Sequence, residues 1–283
     1  SLARKNGVSI RYASPCTEIL TEGKKISGVR LGTGEILQAD SVVFNGDASA
    51  LTQGLLGGAL RRAAPRLSAS KRSLSALTWS VHAATEGFSL DRHNVFFQTD
   101  YAREFSDIFS RSRLPQTPTV YVCAQDRGSE ATAPKRDRLL VLVNAPAEGD
   151  RTLTESEIDA CETHSFSLLA RYGLKVHRTP ENTQRTTPAE FHRLFPGSAG
   201  ALYGMATHGW MSAFARSGAK TPLPGLYLAG GTVHPGPGVP MAAMSGQLAA
   251  ATLMAHLDST SRSRRVVISG GTSMRSVTTA TTA

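Results

Sequence analysis

Between residues 226 and 257 the chain passes from LYLA, through GGTVHPGPGVP, into MAAMSGQLAAATLMAHL. The eleven residues 230–240 hold four glycines and three prolines. Gly230 and Gly231 lack a Cβ, so another group can approach the backbone there. Pro235, Pro237 and Pro240 fix φ and stiffen the loop, while Gly236 and Gly238 allow left-handed angles between them. Pro240 falls in the first turn of the following helix, where its missing N–H costs nothing. The helix opens on small residues, Ala242, Ala243, Gly246, Ala249 and Ala250, which let it lie close to a sheet. Its N-terminus presents free N–H groups and the positive end of a dipole. A buried strand, a bare stiff loop and a small-residue helix therefore predict a polarised or anionic ligand at the helix N-terminus. The plainer alternative is that the segment is only a strand–turn–helix connection.

The rest of the chain narrows the setting. With 283 residues, 40% hydrophobic and 19% charged, it is long enough for one large domain or two smaller ones. A net charge of +9 is scattered in pairs such as Lys24-Lys25 and Arg61-Arg62, with only 6% aromatics. That excludes an aromatic-stacking nucleic-acid platform and favours an anionic membrane surface over nucleic acid as a partner for the charge, the alternative being that the charge has no specific partner. Cys16, Cys123 and Cys161 share no short spacing, so neither a disulfide framework nor a CxxC site is expected. The histidines form no H-x-x-x-H pair, and no metal site is expected.

Period-two segments at 8–12, 16–20, 25–31 and 41–45 read as strands, with SVVF continuous enough for a parallel sheet. Residues 50–65 read as a helix. SALTWSVHAATEG, HNVFFQTD, TVYVCAQ and RLLVLVNAP read as further strands. Helices are expected at 101–113, at 154–173 behind a Thr154/Glu157 capping box, and at 187–197. The expected class is α/β, interrupted: residues 1–49 and 223–258 belong to one sheet domain, 50–222 form an inserted mixed α+β domain, and 259–283 are a disordered tail.

LPGLYLAGGTVHPGPGVPMAAMSGQLAA resembles the C-terminal FAD-binding motif of the bacterial carotenoid desaturases, the phytoene-desaturase-like branch of the amine-oxidase flavoproteins. Its Met-Ala-Ala is most similar to the hydroxyneurosporene (methoxyneurosporene) dehydrogenase subgroup. GVRLGTGEILQADSVVFNGD, HNVFFQTDYAREFSDIF and TPAEFHRLFPGSAGALYG extend the likeness over roughly residues 8–257.

The resemblance implies a two-domain Rossmann-type flavoprotein that uses FAD to desaturate a carotenoid such as a 1-hydroxycarotenoid. It implies that Gly230, Gly231 and Thr232 meet the ribityl-phosphate, and that Gly238, Val239, Pro240 and Met241 meet the isoalloxazine. Cys16 would meet adenine through its backbone, or serve only as a half-buried strand residue. No catalytic acid or base is implied, and His234 reads as structural. A cytoplasmic protein lying peripherally on the inner, photosynthetic membrane is implied too; the helix at 101–113, with Arg103, Arg111 and Arg113 near Phe105, Ile108 and Phe109, either faces the lipid or is an ordinary amphipathic core helix, and Phe96, Phe97, Trp79 and Trp210 either line a carotenoid tunnel or, as is commoner, pack in the core. The family's GxGxxG fingerprint is not in this sequence, so the chain reads as the C-terminal part of a longer enzyme that need not bind FAD alone. The alternatives are another FAD oxidase of the superfamily, acting on an amine or a porphyrin, and a non-catalytic carotenoid-binding fragment.

Overall fold

Alternation of apolar residues builds the larger of two cores. In the computed structural model, which describes residues 2–128, 134–151, 153–206 and 215–265, with side chains to 259, strand β5 spans Ser75–Ala83 and β9 spans Asp137–Ala145. They pair antiparallel along their whole length at the centre of a five-stranded sheet. The remaining strands of that sheet are β7 (His93–Phe96), β8 (Val120–Ala124) and β11 (Thr183–Thr186), in the order β11-β5-β9-β8-β7. Leu139, Val141, Val143 and Ala145 alternate inward on β9, and Leu77, Trp79, Val81 and Ala83 do so on β5.

Helix α4 (Glu155–Arg171) covers this face with Ile158, Cys161, Leu168 and Leu169. The expected capping box is formed: Thr154 Oγ1 accepts from the Glu157 N–H at 3.2 Å, and Glu157 Oε2 accepts from the Thr154 N–H at 2.9 Å. Burial pushes the Cys161 thiol up to about 12, so it stays protonated and packs as a small apolar group.

The second core lies under a meander of β1 (Cys16–Glu22), β2 (Lys25–Leu31) and β3 (Ile36–Gln38). It gathers Ile19, Ile26, Leu51, Leu60, Leu226, Leu228 and Val233. Strands β4 (Val42–Phe44) and β12 (Leu226–Leu228), expected to share a sheet, pair in parallel. The chain thus leaves β4, builds the five-stranded unit and returns beside its starting point. Val43 is 45% exposed, so only one face of β4 is covered.

Three local expectations are corrected. Residues 8–12 alternate but run as exposed, irregular chain, because alternation makes no strand without a neighbour to pair with. Residues 50–65 are not one helix: α2 (Ala48–Gln53) stops at left-handed Gly54, and a separate 3-10 turn follows at Gly58–Arg62. The last helix, α6 (Val239–Arg265), continues through residues 259–265, which were expected to belong to the tail; residues 266–283 lie outside the described residues.

Candidate cofactor loop and apolar pocket

Strand β12 delivers the loop. Leu226, Tyr227 and Leu228 are buried, and the Ala229 N–H continues the parallel ladder to the Phe44 carbonyl at 3.0 Å. The Gly230 N–H donates to Ser245 Oγ at 3.1 Å, which ties the loop's first residue to α6. Gly230 sits at φ +116°, and a Cβ there would stand 2.7 Å from Asn45 Oδ1, so only glycine fits. Further along, the His234 N–H donates to the Ser217 carbonyl, and the His234-Pro235 peptide is cis. Asp47 Oδ1 accepts from the Ser49 N–H at 2.7 Å and caps α2.

Gly238 differs from Gly230. Its φ is +104°, yet a Cβ there would meet nothing within 4 Å. Val239 beside it is 86% exposed, and Pro240 and Met241 are exposed as well. The first intrahelical bond runs from the Ala242 N–H to the Gly238 carbonyl, so the N–H groups of Val239 and Met241 precede the ladder. A glycine cradle with open space over it, at the positive end of a long helix, fits the electron-rich edge of a flavin. Gly230, Gly231 and Thr232 thus follow β12 directly, while Gly238, Val239, Pro240 and Met241 lie where the same loop enters α6. Cys16 stands apart at the start of β1, exposed, with its Sγ–H on the Glu18 carbonyl, and burial of part of the group raises its pKa.

Against the loop lies a cavity of about 380 Å³, lined by Leu74, Phe105, Phe109, Tyr203, Met205 and Pro237 among others. Phe105 and Phe109 come from helix α3 (Tyr101–Phe105) and the π-helical turn Ser106–Ser110 that extends it. They end a run of four aromatic rings at every fourth residue, Phe97, Tyr101, Phe105 and Phe109, with centroids 6.0, 5.0 and 6.2 Å apart. Two buried carboxylates hold this element down. Glu104 accepts from the Thr119 N–H and from Asn144 Nδ2, both at 2.9 Å. Asp107 accepts from Arg111 and Arg113. Burial works to raise the Asp107 pKa, but those two guanidinium bonds, with the Gln116 N–H, outweigh it and hold the carboxyl below its ordinary value.

The sequence reading of the aromatics changes accordingly. Trp79 is fully buried, donates from Nε1 to Glu162 Oε2 at 2.7 Å, and belongs to the core under α4. Phe96 is core as well, since residues 94 and 96 face opposite ways from 95 and 97 on a strand. Trp210 lies outside the described residues, as does His208. In the segment 101–113, expected to face lipid, Ile108 is buried, Arg111 and Arg113 are bound to Asp107 with their side chains partly exposed, and Phe109 is 45% exposed. Phe97 (56%) and Tyr101 (47%) stay exposed.

Sequence reasoning missed Arg216, which has no motif of its own. Only 6% exposed, it reaches under the loop: Nη1 donates to the Tyr203 carbonyl at 3.0 Å and, at 3.5 Å, to that of Gly231, and Nη2 donates to the Met205 carbonyl at 2.7 Å. Its Nε and the nearby Thr232 Oγ1 are buried without a partner among the described residues.

The flavin containing amine oxidoreductase family matches residues 1–254, which is nearly all of the described chain. The chain belongs to that family. It is 60% identical over 283 residues to the hydroxyneurosporene desaturase of Rubrivivax gelatinosus, covering 99% of this chain and 54% of the relative. It is 41% identical to the protein of the same name from Cereibacter sphaeroides, covering 92% and 52%. It is 29% identical to the 1-hydroxycarotenoid 3,4-desaturase of Flavobacterium sp., covering 88% and 51%. The chain spans about half the length of these relatives.

Proposed function

We propose that this chain is the C-terminal part of an FAD-dependent carotenoid desaturase acting on a 1-hydroxycarotenoid. The observation that carries the reading is the adjacency of two surfaces through Pro237: an open glycine cradle at a helix N-terminus, and an almost wholly apolar cavity. Family membership and the names of the relatives agree with it. Among the described residues the cavity lining is almost all apolar, Leu74, Phe105, Phe109 and Met205 included, which suits a polyene.

In this reading residues 1–49 and 223–258 contribute to the cofactor domain and 50–222 form the substrate domain, with residues 50–64 packed on the cofactor side through Leu51 and Leu60. Gly230, Gly231 and Thr232 would hold the ribityl-phosphate, Gly238 to Met241 the pyrimidine edge of the ring, and Cys16 the adenine through its backbone. The apolar face of α6, with Met244, Leu248 and Met254 exposed, is then covered by the rest of the cofactor domain.

Bound FAD supplies the acceptor for a hydride. The chain's own residues would align the reaction: Phe105, Phe109 and Tyr203 offer the polyene apolar contacts, and the loop would hold the ring beside it. Desaturation would break two vicinal C–H bonds, one hydrogen going as hydride to the acceptor that bound FAD would supply and the other leaving as a proton, so that a C=C bond forms. The allylic cation between these events is stabilised by the polyene, so the scheme assigns no side chain as a strong base. Phe97 and Tyr101 would touch the membrane that stores the substrate, and among the described residues no helix is long and apolar enough to cross it.

The test is product analysis with the full-length protein. FAD retention and conversion of a 1-hydroxycarotenoid to its more desaturated product support the reading; turnover of an amine or a porphyrin instead overturns it.

A further inference from the structure

We propose that Arg216 is a positioning residue that locks one wall of the apolar pocket to the cofactor loop. The inference rests on the flavin reading above. A buried guanidinium ordinarily meets a carboxylate. Among the described residues no carboxylate is hydrogen-bonded to Arg216; burial pulls its pKa below the ordinary value, and the group stays charged regardless. Its charge is met instead by three backbone carbonyls. Two belong to the pocket wall, Tyr203 and Met205, and one to the loop, Gly231. A planar fork with several fixed donors can bind both segments at once, which no shorter polar side chain can do.

Two glycines make the same junction tight. Gly204, between the two wall carbonyls, sits at φ +65°, and a Cβ there would stand 3.0 Å from Thr232 Cγ2. A Cβ on Gly236 would stand 3.3 Å from Arg216 Nε. At Gly204 and Gly236 a side chain would therefore crowd Thr232 or Arg216, and the Arg216 guanidinium bridges wall and loop. The other charged groups lining the adjoining cavity of about 200 Å³ are Asp47, Arg66 and Lys71. Tyr203, Met205 and Pro237 also line the apolar pocket, so the seam sets the distance between whatever lies in that pocket and whatever lies on the loop. Hydride transfer depends steeply on that distance.

The experiment compares R216M and R216K in the full-length FAD-loaded enzyme, with a 1-hydroxycarotenoid as substrate and the circular dichroism of the bound flavin as a readout independent of turnover. R216M is expected to keep its flavin with an altered dichroism band, to lose about 100-fold in kcat, as misplacement by 1 Å would cause, and to leave KM within a few-fold. R216K, which keeps the charge but loses the fork, is expected to recover only part of kcat near neutral pH and to lose that part as pH rises, because burial lowers a lysine's pKa. The wild type holds its rate over the same range. Retention of kcat within about threefold in R216M, or a wild-type pH profile in R216K, overturns the proposal. If R216M does not fold, R216K decides alone by its profile. A wild-type enzyme that neither holds FAD nor desaturates the carotenoid refutes the flavin reading itself, a different result from an active wild type with an unaffected R216M.

Discussion

Replacing Gly238 by alanine separates a cofactor cradle from an ordinary turn. Gly238 sits at φ +104°, a conformation that L residues rarely adopt, and a strained angle of this kind costs about 1–3 kcal/mol. That cost falls on the protein with or without ligand, so it lowers thermal stability and cancels from a binding constant. Among the described residues the added methyl meets no atom within 4 Å. Any loss of FAD affinity must then come from the methyl entering space that the ring needs. Forcing a methyl into a packed contact costs about 1–3 kcal/mol, which is about 5- to 150-fold in Kd. Gly34 is the control. It has φ +88° and equally empty surroundings, but lies in the hairpin between β2 and β3. Titration of FAD into the apo forms of the full-length protein, followed by flavin fluorescence, is the assay. G238A and G34A should lose similar stability, and only G238A should bind FAD more weakly. Equal affinity in the two variants refutes the placement of the ring at Gly238.

Three further outcomes follow from the packing. Asp137 is buried against Arg127, whose hydrogen bond holds its pKa below the ordinary value despite burial, with help from Thr85. Its contribution is therefore present above the unfolded-state pKa and is lost as pH falls through the folded-state value. D137N should cost toward the low end of about 3–5 kcal/mol at neutral pH, since Arg127 keeps some contact with water, and urea melts of the two proteins should converge in acid. Trp79→Phe should cost about 1.5–3 kcal/mol, the worth of a hydrogen bond to a charged acceptor, without changing KM for the carotenoid; a raised KM would return Trp79 to the pocket lining. The double variant Phe97→Ser/Tyr101→Ser should lose co-sedimentation with phosphatidylglycerol vesicles while remaining folded by circular dichroism, and unchanged binding rejects lipid contact at these rings.

Local signals were legible where the chain itself supplies the partner. The Thr154/Glu157 box, the stop at Gly173 and the alternation of β5, β8 and β9 need only short-range chemistry or a dense apolar pattern, and each forms as read. The loop at 230–240 was legible for the same reason, because glycine and proline declare backbone shape directly. What could not be read depended on distant neighbours. Val8, Ile10 and Tyr12 alternate without a strand to pair with. Phe96 and Phe97 are adjacent aromatics, yet the pleat sends one into the core and leaves the other in solvent. Arg216 is one arginine among many basic residues until folding places the carbonyls of Tyr203, Met205 and Gly231 around it.

The parallel pairing of β4 with β12 also sets a timetable for birth on the ribosome. Roughly 180 residues separate the two strands, so at bacterial translation speeds β4 waits on the order of 10–40 s for its neighbour to emerge. During that interval the five-stranded unit can complete itself, whereas Ile19, Ile26, Leu51 and Leu60 still lack the residues of β12 that bury them. A nascent chain halted before Leu226 would therefore hold one finished core and one greasy, half-built one, the species that a chaperone would be expected to retain.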